Sequence, residues 1–280
     1  MENARISLLI IDPQNDFCDI PERERPLLES GMRLSPALPV SGADGDMKRL
    51  AAFIERAGDR LCDIHVTLDS HNPVDIAHPS WWRDAAGAAS APFTVISAAA
   101  VRAGLWRASD PARQARSLAY VKALERNARY ALVVWPEHCL IGHWGHNLHA
   151  AVAAALDAWA HKRLETVDFV LKGLNPNTEH YSAVRAEVPD PSDPGTLTND
   201  RLIGKLAAAD TILIAGEALS HCVANTVRDI ADSLGAQNVA KMVLLTDCTS
   251  PVSGFEHLGE DFVREMTARG MRIASSTDQM

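Results

Sequence analysis

The stretch Thr211-Ile212-Leu213-Ile214-Ala215-Gly216-Glu217-Ala218-Leu219-Ser220-His221-Cys222-Val223 decides how the chain is read. Residues 211–215 form an apolar, partly β-branched run, the pattern of a buried strand. Beyond the turn, Val223, Val227, Ile230, Ala231 and Leu234 recur at the spacing of one helix face. Cys222 therefore falls at a strand-to-helix turn, in the first turn of the helix. Unpaired backbone N–H groups and the positive end of the helix dipole collect there. That setting lowers a thiol pKa and offers donors to an oxyanion. Taken alone, such a cysteine is more often a small packing residue. The rest of the chain has to decide between the two.

Working outward, Ile6–Ile11 reads as a second buried strand, ending in Asp12-Pro13-Gln14-Asn15-Asp16-Phe17. An acid at the carboxyl end of a buried parallel strand stands where ligands bind in α/β folds. Pro13 and Asn15 suit a plain turn equally well. A helix is predicted from 47 to about 57. A strand over 62–68 then runs into Asp69-Ser70-His71. Asp-x-His places both side chains on one side of an extended segment, which suits one metal ion. A third ligand must come from elsewhere. Residues 130–135 read as a strand followed by Pro136-Glu137-His138-Cys139, and His138 supplies that ligand if the segment returns beside Asp69. His143, His146 and His149 flank or open a helix over 147–159 and are read as surface or capping residues. A strand over 167–171 ends in Lys172-Gly173. A helix over 200–208, a strand over 239–247, a helix over 255–269 and a strand over 271–274 complete the pattern.

Buried strands alternating with helices predict a three-layer α-β-α, doubly wound, mostly parallel sheet. The length fits one large α/β domain over 1–280, with a loop at 20–43 and an inserted cover segment at about 83–130. Short helices are expected near 98–106 and 111–126. The second mixes basic and acidic residues, so it reads as a solvated cover or an oligomer contact, and a homo-oligomer is expected. On this architecture Asp12, Lys172 and Cys222 all reach strand carboxyl ends. Asp69, His71 and His138 lie at two more.

The formal net charge of -9 argues against non-specific nucleic-acid binding, which needs a basic surface. No apolar run approaches the roughly 18 residues of a membrane helix, so no membrane partner is expected. The start shows no basic n-region or small-residue cleavage site. Five cysteines, at 18, 62, 139, 222 and 248, are widely spaced and include no CxxC. That is neither a disulfide framework nor a zinc ribbon, and it suits a reducing, cytoplasmic setting.

The segments Leu9-Ile10-Ile11-Asp12-Pro13-Gln14-Asn15-Asp16-Phe17, Asp69-Ser70-His71, Trp135-Pro136-Glu137-His138-Cys139, Lys172-Gly173 and Gly216-Glu217-Ala218-Leu219-Ser220-His221-Cys222-Val223 resemble, in this order, the isochorismatase-like cysteine hydrolases. Among these they are most similar to nicotinamidases. The resemblance spans 6 to about 250. It implies a catalytic triad of Asp12, Lys172 and Cys222. It also implies a site for one divalent metal ion, zinc with iron and manganese as alternatives, on Asp69, His71 and His138. His78 is a candidate for a further ligand that its spacing leaves open. The implied oxyanion donors are the backbone N–H groups of Ala218 and Cys222, with a cis peptide at Glu217–Ala218. The substrate is then a small-molecule amide, nicotinamide, converted through a thioester to nicotinic acid and ammonia. Its ring contacts would be Phe17 with Trp81 or Trp82, although such aromatic residues are more often packing.

Two departures stand out. Ala218-Leu219-Ser220 replaces the Ala-Thr-Asp often found before the cysteine, and 18–43 and 83–130 lengthen the chain. Three other readings stay open at this point. One is a metal-independent hydrolase of another small amide or ureido compound. The second is a non-catalytic binding protein on the same fold. The third, an isochorismate ether hydrolase, requires neither the cysteine nor the metal ligands.

Overall fold

The computed structural model describes residues 4–127 and 130–278. Its strands are β1 (Ile6–Ile11), β2 (Leu61–Asp69), β3 (Trp82–Asp84), β4 (Val95–Ile96), β5 (Trp106–Ala108), β6 (Leu132–Val133), β7 (Asp168–Lys172), β8 (Thr211–Gly216), β9 (Met242–Leu245) and β10 (Arg272–Ala274). Its helices are α1 (Ala43–Ala57), α2 (Ala98–Arg102), α3 (Gln114–Asn127), α4 (Ala150–Arg163), α5 (Asp200–Ala207), α6 (Ala224–Leu234) and α7 (Glu256–Ala268).

Six strands form one sheet in the order β10-β9-β8-β1-β2-β7, and every neighbouring pair is parallel. β1 is buried along its whole length, as its unbroken apolar sequence requires when both faces are covered. Helices flank the sheet, α1 against α4 and α6 against α5 and α7. α1 buries Met47, Leu50, Phe53, Ile54 and Ala57, one stripe at helical spacing. α6 buries Val227, Ile230 and Ala231, the face expected from the sequence. Among the described residues no helix is long and apolar enough to cross a membrane.

The winding explains where chemistry collects. From β1 the chain builds outward through β2 to β7, then returns to β8 on the other side of β1 and continues to β10. The strand order reverses between β1 and β8, and ligands in such sheets bind in the crevice at that switch point, outside the carboxyl ends. Ile11 pairs with Gly216 there. One strand further along, Asp69 pairs with Lys172.

The segment between β2 and β7 departs from expectation. Residues 130–135 do not add a strand to the central sheet. Only Leu132–Val133 is extended, and it pairs antiparallel with β4 in a separate two-stranded ribbon. The slot beside β2 is taken by β7, so the β-branched run finds its partner within the cover segment instead. The helix expected near 98–106 ends at Arg102. Gly104, at φ 75°, turns the chain into β5, which pairs with β3. Residues 128 and 129 of the expected insertion lie outside the described residues.

Gly216 is the one position where β8 demands a glycine. Its φ is 114°, and a Cβ there would collide with the Ile11 carbonyl oxygen on β1. Gly216→Ala is expected to destabilise the protein by about 3 kcal/mol, through positive-φ strain added to the clash. Chemical denaturation measures it, and a loss below about 1 kcal/mol would show that the two strands can separate freely.

Candidate active site

Asp12 leaves β1 with φ 44°, a left-handed turn uncommon for a residue with a side chain. Its carboxylate is fully buried. Thr67 on β2 holds it from two sides. The Asp12 N–H donates to Thr67 Oγ1 at 3.0 Å, and the Thr67 hydroxyl donates to Asp12 Oδ1 at 2.5 Å. Asp12 Oδ2 lies 2.9 Å from Lys172 Nζ. The same ammonium lies 2.9 Å from Asp69 Oδ1, donates to the His180 carbonyl at 3.0 Å, and stands 3.6 Å from Cys222 Sγ. The parallel register of β2 and β7 sets Asp69 beside Lys172.

Burial alone would push Lys172 down. Asp12 and Asp69 outweigh it and hold the ammonium well above the ordinary lysine value. Burial likewise works against a charge on Asp69, but His71 and Lys172 outweigh it and hold that carboxylate well below its usual range. Asp12 behaves differently: burial raises it despite the pull of Lys172. It is the carboxylate of the pair better suited to accept a proton.

Cys222 does not lie in the first turn of an α-helix as expected. It lies in a wider turn over Leu219–Val223 that precedes α6, in which the Val223 N–H reaches back five residues to the Ala218 carbonyl at 3.2 Å. The Glu217–Ala218 peptide is cis, and the Ala218 N–H has no acceptor among the described residues. The thiol corrects another expectation. Burial pushes it well above its ordinary value; Lys172 pulls it down, while Asp12 and Asp69 push it up. A helix start lowers a thiol pKa where the sulfur keeps access to water, and this sulfur is sealed between two carboxylates. The resting group is a thiol whose sulfur lies within 4.8 Å of a carboxylate oxygen of Asp12.

Beside this cluster three histidine rings face one another. The centroids of His71, His78 and His138 lie 4.8–5.4 Å apart, and one ring nitrogen from each lies within 4.8 Å of the others. Asp69 Oδ2 lies 3.2 Å from His71 Nε2 and 3.5 Å from His138 Nε2. His138 does not follow a strand of the central sheet. It arrives on a loop tied to β2's end by the His71 N–H, which donates to the Cys139 carbonyl at 3.1 Å. The rings are oriented from behind. His71 Nδ1 contacts Asp75 Oδ2 at 3.2 Å, and His138 Nδ1 contacts the Pro136 carbonyl at 2.8 Å, which leaves both Nε2 atoms facing inward. Neither nitrogen of His78 has a partner among the described residues although the ring is fully buried. Burial, then His138 and His71, push His78 down to about 2, so it is neutral with a lone pair to offer. Three imidazoles and a carboxylate form a donor set that suits a divalent transition metal.

The other histidines stay outside, as read from the sequence. His149 caps α4 by accepting from the Ala151 N–H, His146 Nε2 contacts Ser70 Oγ at 2.9 Å, and His143 is exposed.

Phe17, Leu38, Trp135, Tyr181 and Val252 wall a cavity whose other sides carry Asp69, His138 and Cys222. Its free volume is about 20 Å³, room for little more than a water. Trp81 and Trp82 do not line it, which corrects their assignment as ring contacts. Both are buried in packing, where the indole N–H of Trp81 donates to Ser117 Oγ and that of Trp82 to the Ile76 carbonyl. Trp135 and Tyr181 stand in their place, joined by a 2.9 Å hydrogen bond from the indole to the phenol oxygen. Glu179 was not anticipated either. It lines the cavity with Oε2 lacking a partner among the described residues, and it comes from the irregular stretch 175–197, where no periodicity marks a buried residue. Asp75 had a signal, since it stands four residues after His71.

No family model matches the chain, and neither does any curated protein. Solved structures do. The Acinetobacter baumanii nicotinamidase/pyrazinamidase matches at TM-score 0.63 and 20% identity, over 100% of both chains. The yeast nicotinamidase matches at TM-score 0.64 and 20% identity, over 96% of this chain and 99% of that one. The Pyrococcus horikoshii pyrazinamidase, solved in complex with zinc, matches at TM-score 0.52 and 18% identity, over 97% and 99%. At such identities the likeness establishes the fold, and it is the fold that the sequence motifs led us to expect.

Among the described residues, Lys172 is the ammonium that stands between the buried carboxylates Asp12 and Asp69. Lys172→Met is expected to lower stability by about 3–5 kcal/mol, the cost of leaving buried charge uncompensated. Urea denaturation measures it. Unchanged stability would mean that Asp12 and Asp69 do not depend on the ammonium.

Proposed function

We propose that the chain is a metal-assisted cysteine amidohydrolase that converts nicotinamide to nicotinic acid and ammonia. The observation that carries this reading is the packing of Cys222 Sγ, Lys172 Nζ and Asp12 into one buried cluster at the sheet's switch point. The fold shared with nicotinamidases and the aromatic cavity support the choice of a small planar amide.

Asp12 takes the proton of the Cys222 thiol as Sγ attacks the amide carbonyl. Lys172 stabilises the developing thiolate. The carbonyl oxygen becomes an oxyanion facing the N–H groups of Ala218 and Cys222. As the C–N bond breaks, Asp12 returns the proton to the leaving nitrogen, and ammonia departs. Asp12 then takes a proton from water, which attacks the thioester. The acid leaves and the thiol re-forms. A divalent cation held by Asp69, His71, His78 and His138 would supply a Lewis-acidic anchor for the ring nitrogen. The unpartnered nitrogens of His78 favour this over metal-independent hydrolysis. On this reading the chain is one hydrolase domain with a cover segment inserted at about 83–130. Its cysteines, all free, suit the cytoplasm.

Two substitutions separate the roles. Cys222→Ala is expected to reduce ammonia release from nicotinamide by at least about 10⁴-fold while bound metal stays at the native level. His78→Ala is expected to weaken metal binding at least about tenfold. Ammonia assay and elemental analysis of each variant check both. Turnover surviving in Cys222→Ala would rule out the thioester route.

A further inference from the structure

The turn that carries Ala218 and Cys222 is anchored by a carboxyl group that the mechanism leaves unused. Glu217 is fully buried, at the end of an apolar strand. Its Oε2 accepts from the Ser250 N–H at 3.1 Å, and its Oε1 receives no hydrogen bond from the described residues. The side chain meets Asp46 of α1, itself buried and already engaged. Arg49 donates to Asp46 Oδ1 at 2.5 Å, and the Ser250 hydroxyl donates to Asp46 Oδ2 at 2.5 Å. Two carboxyl groups in contact away from water do not both ionise. Asp46 already holds a cation and a hydroxyl, and among the described residues Glu217 holds neither. The proton therefore belongs to Glu217, which donates it to Asp46. Burial, then Asp46, raise Glu217 well above the ordinary carboxyl range, in keeping with that assignment.

Ser250 completes the anchor. Its N–H meets Glu217, its hydroxyl meets Asp46, and its carbonyl accepts from the Leu219 N–H at 2.9 Å. Two residues on, the Val252 N–H donates to Ser220 Oγ. Residues 217–220 are thus bound to α1 and to the loop after β9, on both sides of Ala218.

We propose that Glu217, hydrogen-bonded to Asp46 and Ser250, is a positioning residue that sets the direction of the Ala218 and Cys222 N–H groups. It touches no substrate atom and acts through the turn. The inference rests on the hydrolase reading, because those N–H groups matter only where an oxyanion forms.

Steady-state ammonia release from nicotinamide tests it in Glu217→Gln, Glu217→Leu and Glu217→Asp. The Gln amide can donate to Asp46 and accept from Ser250, so kcat stays within about threefold of native. Leu removes both bonds, and Asp is too short to span them. Each is expected to lose about ten- to a hundredfold in kcat, with KM and metal content nearly unchanged, a part of what a lost oxyanion donor costs. The Asp variant decides the matter if the Leu variant does not fold. Native kcat in the Asp variant, or a Gln variant as impaired as Leu, overturns the proposal. So does a loss that appears in KM alone. No turnover by the native enzyme overturns the hydrolase reading itself, and this inference with it.

Discussion

The Lys172 ammonium, buried 2.9 Å from both Asp12 and Asp69, is the contact on which the rest of the site depends. Its partners come from different strands, Asp12 just after β1 and Asp69 at the end of β2, while Lys172 ends β7. A charge so deep in the protein is tolerated because two carboxylates and the His180 carbonyl surround it. The same contact fixes the spacing of the strand ends, and with it the place where Cys222 Sγ comes to rest. The carboxylates in turn are held by groups outside the cluster, Asp12 by Thr67 and Asp69 by the facing histidines.

This arrangement divides the work between two similar side chains. Asp69 is pinned in its charged form and turns one oxygen to the ammonium and the other to the histidines. Asp12 is raised by burial, beside a thiol that is also raised. On the proposed mechanism, a proton passed between two groups whose charged forms are both disfavoured needs little driving force, and Lys172 would stabilise whichever anion appears. On the proposed reading, the apolar walls that raise the thiol also bound the space a planar ring would occupy. The free volume is so small that a ring enters only if wall side chains such as Phe17 or Leu38 shift.

Much of this was legible in the sequence, for a physical reason. Parallel strands buried on both faces must be nearly all apolar, so Ile6–Ile11 and Thr211–Gly216 announce themselves, and the polar residue that ends such a run stands out. Asp12, Lys172, Asp69 and Cys222 were visible in that way. His78 was harder, because six residues of irregular loop separate it from His71 and no period places it. Trp81 and Trp82 misled, because an indole's bulk favours a buried position with or without a ligand. The segment 130–135 misled too, since β-propensity says that a strand forms and not which strand it joins. The thiol's ionisation depended on burial and neighbouring charge, which the helix-start pattern does not encode.

The most direct test of the account is ammonia release from nicotinamide by the native protein, with zinc, iron and manganese quantified in the same preparation. The account predicts about one divalent metal ion per chain, with turnover that stops on chelation and returns when metal is restored. A fully metallated preparation that releases no ammonia from nicotinamide would contradict it, as would turnover indifferent to removal of the metal.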